Sequence, residues 1–181
     1  MARMIFRPTL LAFFACIVIC AGLNNSGQQL EGAEHPAALI LYPDATAIKF
    51  DERGGADRLS YHVNSKYPAT PVIELISNKL QEAGWKPLKY DVLNPHIPSS
   101  HLKGWQEFLQ GTKEPTCIHQ WLGDWKDPSG NIVRYGFRYK HPECSTLTLT
   151  DLEVNAWYTT AAVVRQTLQG VEKFKKEHHL K

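Results

Sequence analysis

The hydrophobic positions of this chain change period as it is followed from the N-terminus, and each change marks an element. Residues 9–22 read TLLAFFACIVICAG, an unbroken apolar run. From Ala47 the pattern becomes alternation, in Ala47-Ile48-Lys49-Phe50 and again in Leu59-Ser60-Tyr61-His62-Val63. Period two marks a half-buried strand, and the DERGGAD between the runs supplies Gly54 and Gly55 for a turn that needs positive φ. A β-hairpin is expected, with Leu59, Tyr61 and Val63 on its buried side. Val72, Ile73, Ile76, Leu80 and Ala83 then fall on one helical stripe. Thr70 is placed to cap this helix, Pro71 suits its first position, Glu74 is expected in the first turn and Gly84 stops it.

Residues 86–101 gather Pro87, Pro95, Pro98, Ser99 and Ser100 into a long loop, with a short strand expected over 89–92. Gly104 weakens residues 102–109 as a helix, so strand is the expectation there. Two further alternating runs flank Asp127-Pro128-Ser129-Gly130-Asn131, which is turn chemistry throughout. The second puts Val133, Tyr135, Phe137 and Tyr139 on one face and Arg134 and Arg138 on the other. Between Leu149 and Leu152 the apolar parity shifts by one, which a β-bulge near Thr150 and Asp151 would explain. Ala161, Val164, Leu168, Val171 and Phe174 return to helical spacing. The fold class is therefore α+β: a mostly antiparallel sheet with one helix packed after the first β-hairpin and a C-terminal amphipathic helix.

The apolar run follows Arg3 and Arg7 without an acid between them, the arrangement of a signal peptide. Residues 8–23 are uncharged but fall short of the roughly 20 residues that span a bilayer. Cleavage after Gly22 is expected; a lipidated Cys16 or Cys20 fits poorly, because bulky residues surround both, and a retained anchor over residues 8–23 is the alternative. Residues 23–36 read as a linker, 37–157 as the domain and 158–181 as its C-terminal helix. The formal charge of +2 comes from 20 Lys and Arg against 18 Asp and Glu, a surplus that leaves with Arg3 and Arg7. With no basic excess to meet phosphates, a nucleic-acid partner is not expected.

Tyr61-x-Val63, Pro71 before Val72-Ile73, Gly84-Trp85-x-Pro87-Leu88, Pro98-Ser99-Ser100-His101 and Gly104-Trp105 together form a pattern. With the Trp-containing run His119-Gln120-Trp121, it resembles a group of exported bacterial proteins to whose motifs no chemistry is assigned. The resemblance covers about residues 42–140 and extends to neither the C-terminal helix nor the cysteines of the domain. It implies a bacterial envelope origin and supplies no catalytic or binding residue.

Candidate chemistry is sparse. Cys117 and Cys144 remain after cleavage, and an oxidising compartment makes a disulfide the direct expectation. If Lys126 faces Asn131 across the turn, Cys117 faces Lys140, and the bond needs residues 141–144 to fold back. Cys117, His119, His141 and Cys144 could instead hold a tetrahedral zinc ion, although their spacing is no usual finger pattern and oxidation competes for the thiols. Trp105, Trp121 and Trp125 would make a sugar-stacking platform if exposed; large aromatics at strand spacing are more often core. There is no nucleophile elbow, phosphate loop or His-Glu-x-x-His. His96 and His101 flank the Pro-Ser loop, where Ser99 or Ser100 beside His101 is a poor nucleophile and base pair because adjacent residues rarely share the needed hydrogen bond. The expectation is a non-enzymatic, periplasmic or secreted domain without a cofactor. It would bind an envelope protein or glycan and touch the membrane only through its N-terminal segment. An envelope hydrolase or metal-dependent enzyme built on His96, His101 or the Cys117 and His119 group is the second reading, and a membrane-tethered structural protein the third.

Overall fold

The structure is a computed structural model that describes residues 35–92, 96–112, 115–142, 144 and 149–179. The N-terminal run, its cleavage site, most of the linker and residues 145–148 lie outside them. The elements are β1 (Thr46–Arg53), β2 (Ala56–Asn64), α1 (Thr70–Glu82), β3 (Lys86–Pro87), α2 (Ser100–Lys103), β4 (Gln106–Gln110), β5 (Thr116–Lys126), β6 (Ile132–His141), β7 (Asp151–Thr159) and α3 (Ala161–Glu177). The strands form one seven-stranded sheet in the order β1-β2-β7-β6-β5-β3, with β4 also on β5, and every pairing is antiparallel. The domain is α+β, as the change of period predicts.

Alternation sorts the side chains onto two faces. Leu59, Tyr61 and Val63 of β2, Leu152, Val154 and Ala156 of β7, the Val133 to Tyr139 alternates of β6 and Trp121 and Trp125 of β5 share one core with Val72, Ile76 and Leu80 of α1. Phenols strap the preceding chain over this core. Tyr135 Oη accepts from the Ile40 amide at 2.7 Å and donates to the Ala38 carbonyl at 2.7 Å, while Tyr61 Oη donates to the Ile40 carbonyl at 3.2 Å. Burial disfavours their phenolates and raises both pKa values; Tyr139, which donates to the Ser65 carbonyl at 2.6 Å, is pushed up to about 12 by the same burial.

Several local expectations are corrected. The N-cap of α1 is Ala69, in left-handed conformation at φ 55°, so Thr70 lies inside the helix and Glu74 beyond its first turn. Of residues 102–109, Leu102 and Lys103 end α2 and Gln106 onward form β4, with Gly104 and Trp105 between them. Residues 89–92 form no strand; Tyr90 makes only an isolated bridge to Pro98. β7 pairs without a bulge on both sides, because it starts at Asp151 and the parity shift falls in the approach to it, where Thr150 and Leu149 accept from the Ser65 and Tyr67 amides. The β5–β6 ladder closes at Lys126–Ile132, which sets Cys117 opposite His141. Asn131 is left in the turn, where its side-chain amide donates to Asp127 and its carbonyl oxygen accepts from Ala161.

Candidate functional site

The face of the sheet opposite α1 carries the polar alternates, and α3 covers only one end of it. The first turn of α3 rests on two turns at that end. The position a Cβ would take on Gly55 lies 3.5 Å from the Val163 methyls, and that on Gly130 lies 3.4 Å from the Ala161 Cβ. Thr160 caps the helix by accepting from the Val163 amide at 3.5 Å. Beyond this turn α3 buries no side chain and exposes Leu168 and Phe174.

Between α3 and the sheet lies a groove of about 690 Å³. Its floor is a cross-strand row set by register, Arg58 on β2, Trp157 on β7, Arg134 on β6 and Asp124 on β5. Gly136 makes room for the Trp157 indole: a Cβ there would sit 3.4 Å from the ring and 3.0 Å from Leu122 Cδ2. Leu122, Val163 and Val164 make the groove largely apolar. Asp124 is buried and binds Arg134 through two oxygens, at 2.7 Å from Nε and 2.8 Å from a terminal nitrogen; Asp91 pairs with the same guanidinium from the loop. Hydrogen bonding by Asp124 outweighs burial and raises the Arg134 pKa further. Arg58 has no such neutraliser. Its Nε is buried without a hydrogen-bond partner, and no carboxylate pairs with it among the described residues.

The residues singled out from the sequence lie elsewhere. Trp121 and Trp125 are 7% and 0% exposed and pack the core at 6.1 Å from each other, so they present no stacking surface. Trp105 sits apart, against Tyr67 and Tyr139. Ser99 and Ser100 are structural. β4 and β3 leave a gap along the free edge of β5 at Leu122, where the Ser100 hydroxyl accepts from the Leu122 amide at 3.0 Å and the Ser99 hydroxyl donates to its carbonyl at 3.4 Å. Two hydroxyls thus replace a strand on an exposed edge. His101 turns onto the core face between Trp121 and Trp125, its ring centre 4.9 Å and 4.6 Å from theirs, and fills the space over Gly123. His96 is exposed. Cys117 and Cys144 form a disulfide with Cα atoms 5.2 Å apart, so Cys144 does return to Cys117. The two sulfurs are joined to each other, and His119 lies 3.8 Å from Cys117 Sγ.

Burial lowers the His101 pKa below its ordinary 6.5, more than the neighbouring Asp124 backbone raises it. The unfolded chain takes up this proton at about 6.5 while the folded chain resists it, so stability falls as pH drops through that value towards the lower folded pKa. Unfolding free energies between about pH 7.5 and 5 should decline more steeply for the native chain than for His101→Gln. Parallel curves would exclude this source.

No protein-family model, curated protein or solved structure matches this chain.

Proposed function

We propose that this chain is an exported, non-enzymatic domain of the bacterial envelope, periplasmic or secreted, that binds a small amphiphilic anion in the groove between α3 and the sheet. The observation that carries the reading is Arg58, a cation whose Nε is buried without a partner beside an indole and aliphatic walls. Leaving a buried donor unpaired costs roughly 1–3 kcal/mol, and a carboxylate or phosphate in the groove removes that penalty. The apolar body of the ligand lies on Trp157, Leu122 and Val163. The signal-type N-terminus and the disulfide support export, and among the described residues no helix is long and apolar enough to cross a membrane. Binding is favoured over hydrolysis because the loop serines are committed to Leu122.

Anilinonaphthalene sulfonate, an apolar fluorophore with one anionic group, tests the reading. It should bind the folded chain saturably at one site, and Arg58→Met should weaken it about tenfold, or 1.4 kcal/mol, with no loss of stability because the aliphatic stem is kept. Unsaturable binding, or equal affinity in the variant, would overturn the proposal.

A further inference from the structure

The opposite face of β5 holds a second cluster that the groove does not use. Cys117 and His119 are two residues apart on that strand and both buried, at 0% and 2% exposure. His119 Nε2 faces Cys117 Sγ at 3.8 Å, and its Nδ1 faces Glu107 Oε2 at 3.6 Å across the β4–β5 ladder, where Glu107 and His119 are direct partners. Cys144 adds the second sulfur through the disulfide. The Tyr67 ring meets His119 edge-on at 5.4 Å and closes the cluster on the core side.

We propose that reduction of Cys117–Cys144 turns this cluster into a zinc site, with both thiolates and His119 Nε2 as ligands and Glu107 holding the far nitrogen of the imidazole. Ligands at about 2.3 Å for sulfur and about 2.1 Å for nitrogen on a tetrahedral ion stand about 3.6 Å apart, close to the separation of Cys117 Sγ and His119 Nε2 in the oxidised chain. A small closing of Glu107 Oε2 from 3.6 Å to hydrogen-bond distance of Nδ1–H would fix the tautomer that leaves the Nε2 lone pair directed at the metal. Glu107 therefore has a defined role that a merely structural disulfide does not need. The chemistry balances with an external dithiol: it passes two electrons and two protons to the disulfide and itself becomes a disulfide, and zinc then displaces the two thiol protons. Disulfide and metal exclude each other, so occupancy of this site reads the thiol redox state of the compartment. The remaining coordination position is left to a water.

The experiment compares oxidised and phosphine-reduced full-length chain, titrated with zinc against a chromophoric chelator. The reduced chain should take one equivalent and the oxidised chain none. Glu107→Gln should bind zinc 10–100-fold more weakly while its oxidised form unfolds at the native midpoint. If reduction loosens the fold, zinc should restore the near-ultraviolet circular dichroism of the oxidised chain. Absence of stoichiometric zinc in the reduced chain, a failure of zinc to restore a fold lost on reduction, or equal affinities of native and Glu107→Gln would each overturn the proposal.

Discussion

Trp125→Ala should destabilise the domain by about 3–5 kcal/mol, whereas Trp125→Phe should cost much less than its loss of volume suggests. Trp125 is fully buried, with ring centres 4.6 Å from His101 and 5.9 Å from Tyr135. Truncation to alanine opens a cavity that these rings cannot fill, because α2 is held to the β5 edge by Ser99 and Ser100 and Tyr135 is fixed through its hydroxyl to Ala38 and Ile40. Phenylalanine keeps much of the ring contact and removes the indole Nε1–H, a buried donor with no partner. Losing that orphan returns roughly 1–3 kcal/mol and offsets part of the packing loss. Denaturant midpoints of the two variants measure the difference. Equal losses would show that the indole donor is satisfied in solution.

How much of this was legible in the sequence depends on whether a feature is local. Both main helices, the first hairpin and the inward face of β6 follow from period and turn residues; in α1, β2 and β6 most of the side chains that set the pattern are buried in the core, whereas α3 keeps its helical period with no buried residue. Boundaries set by backbone geometry did not follow: the left-handed Ala69 caps α1 although Thr70 is the better-looking cap. The pairing across the Asp127 turn differs by one residue because Asn131 is retained in the turn by Asp127 and by the start of α3. Even so, the chain after His141 still returns to Cys117.

The groove was the least legible feature. Arg58, Arg134 and Asp124 occupy the alternates that read as solvent-facing, and only register across β2, β7, β6 and β5 assembles them into a row with Trp157. One local signal was present, Gly136 in the middle of an otherwise regular strand, which marks a close approach. The pairing of Glu107 with His119 is similar: it depends on β4, whose residues are all exposed and carry no alternation to place them. Conversely, the Pro-Ser-Ser-His segment looked like loop chemistry and is instead the plug of a sheet edge.

Opening the disulfide should lower stability by roughly 3–4 kcal/mol in the chain-entropy model, given cysteines 27 residues apart in sequence. The loop it closes contains the β5–β6 hairpin, which holds the Asp124–Arg134 pair and forms half of the groove floor. Much of the cost therefore arises in the unfolded state, where the cross-link removes conformations, while the folded hairpin keeps its ladder. Cys144→Ser is the milder way to open the bond, because Cys144 is exposed and a serine there is hydrated. Cys117→Ser adds the burial of a hydroxyl beside His119 and Tyr67, and is expected to cost more. Denaturant unfolding of both variants and of the native chain with and without a metal-free reductant separates these contributions: the reductant should move the native midpoint to that of Cys144→Ser and leave that variant unmoved. A native midpoint indifferent to reductant, with thiols shown open by alkylation, would mean that the β5–β6 ladder alone restrains the loop.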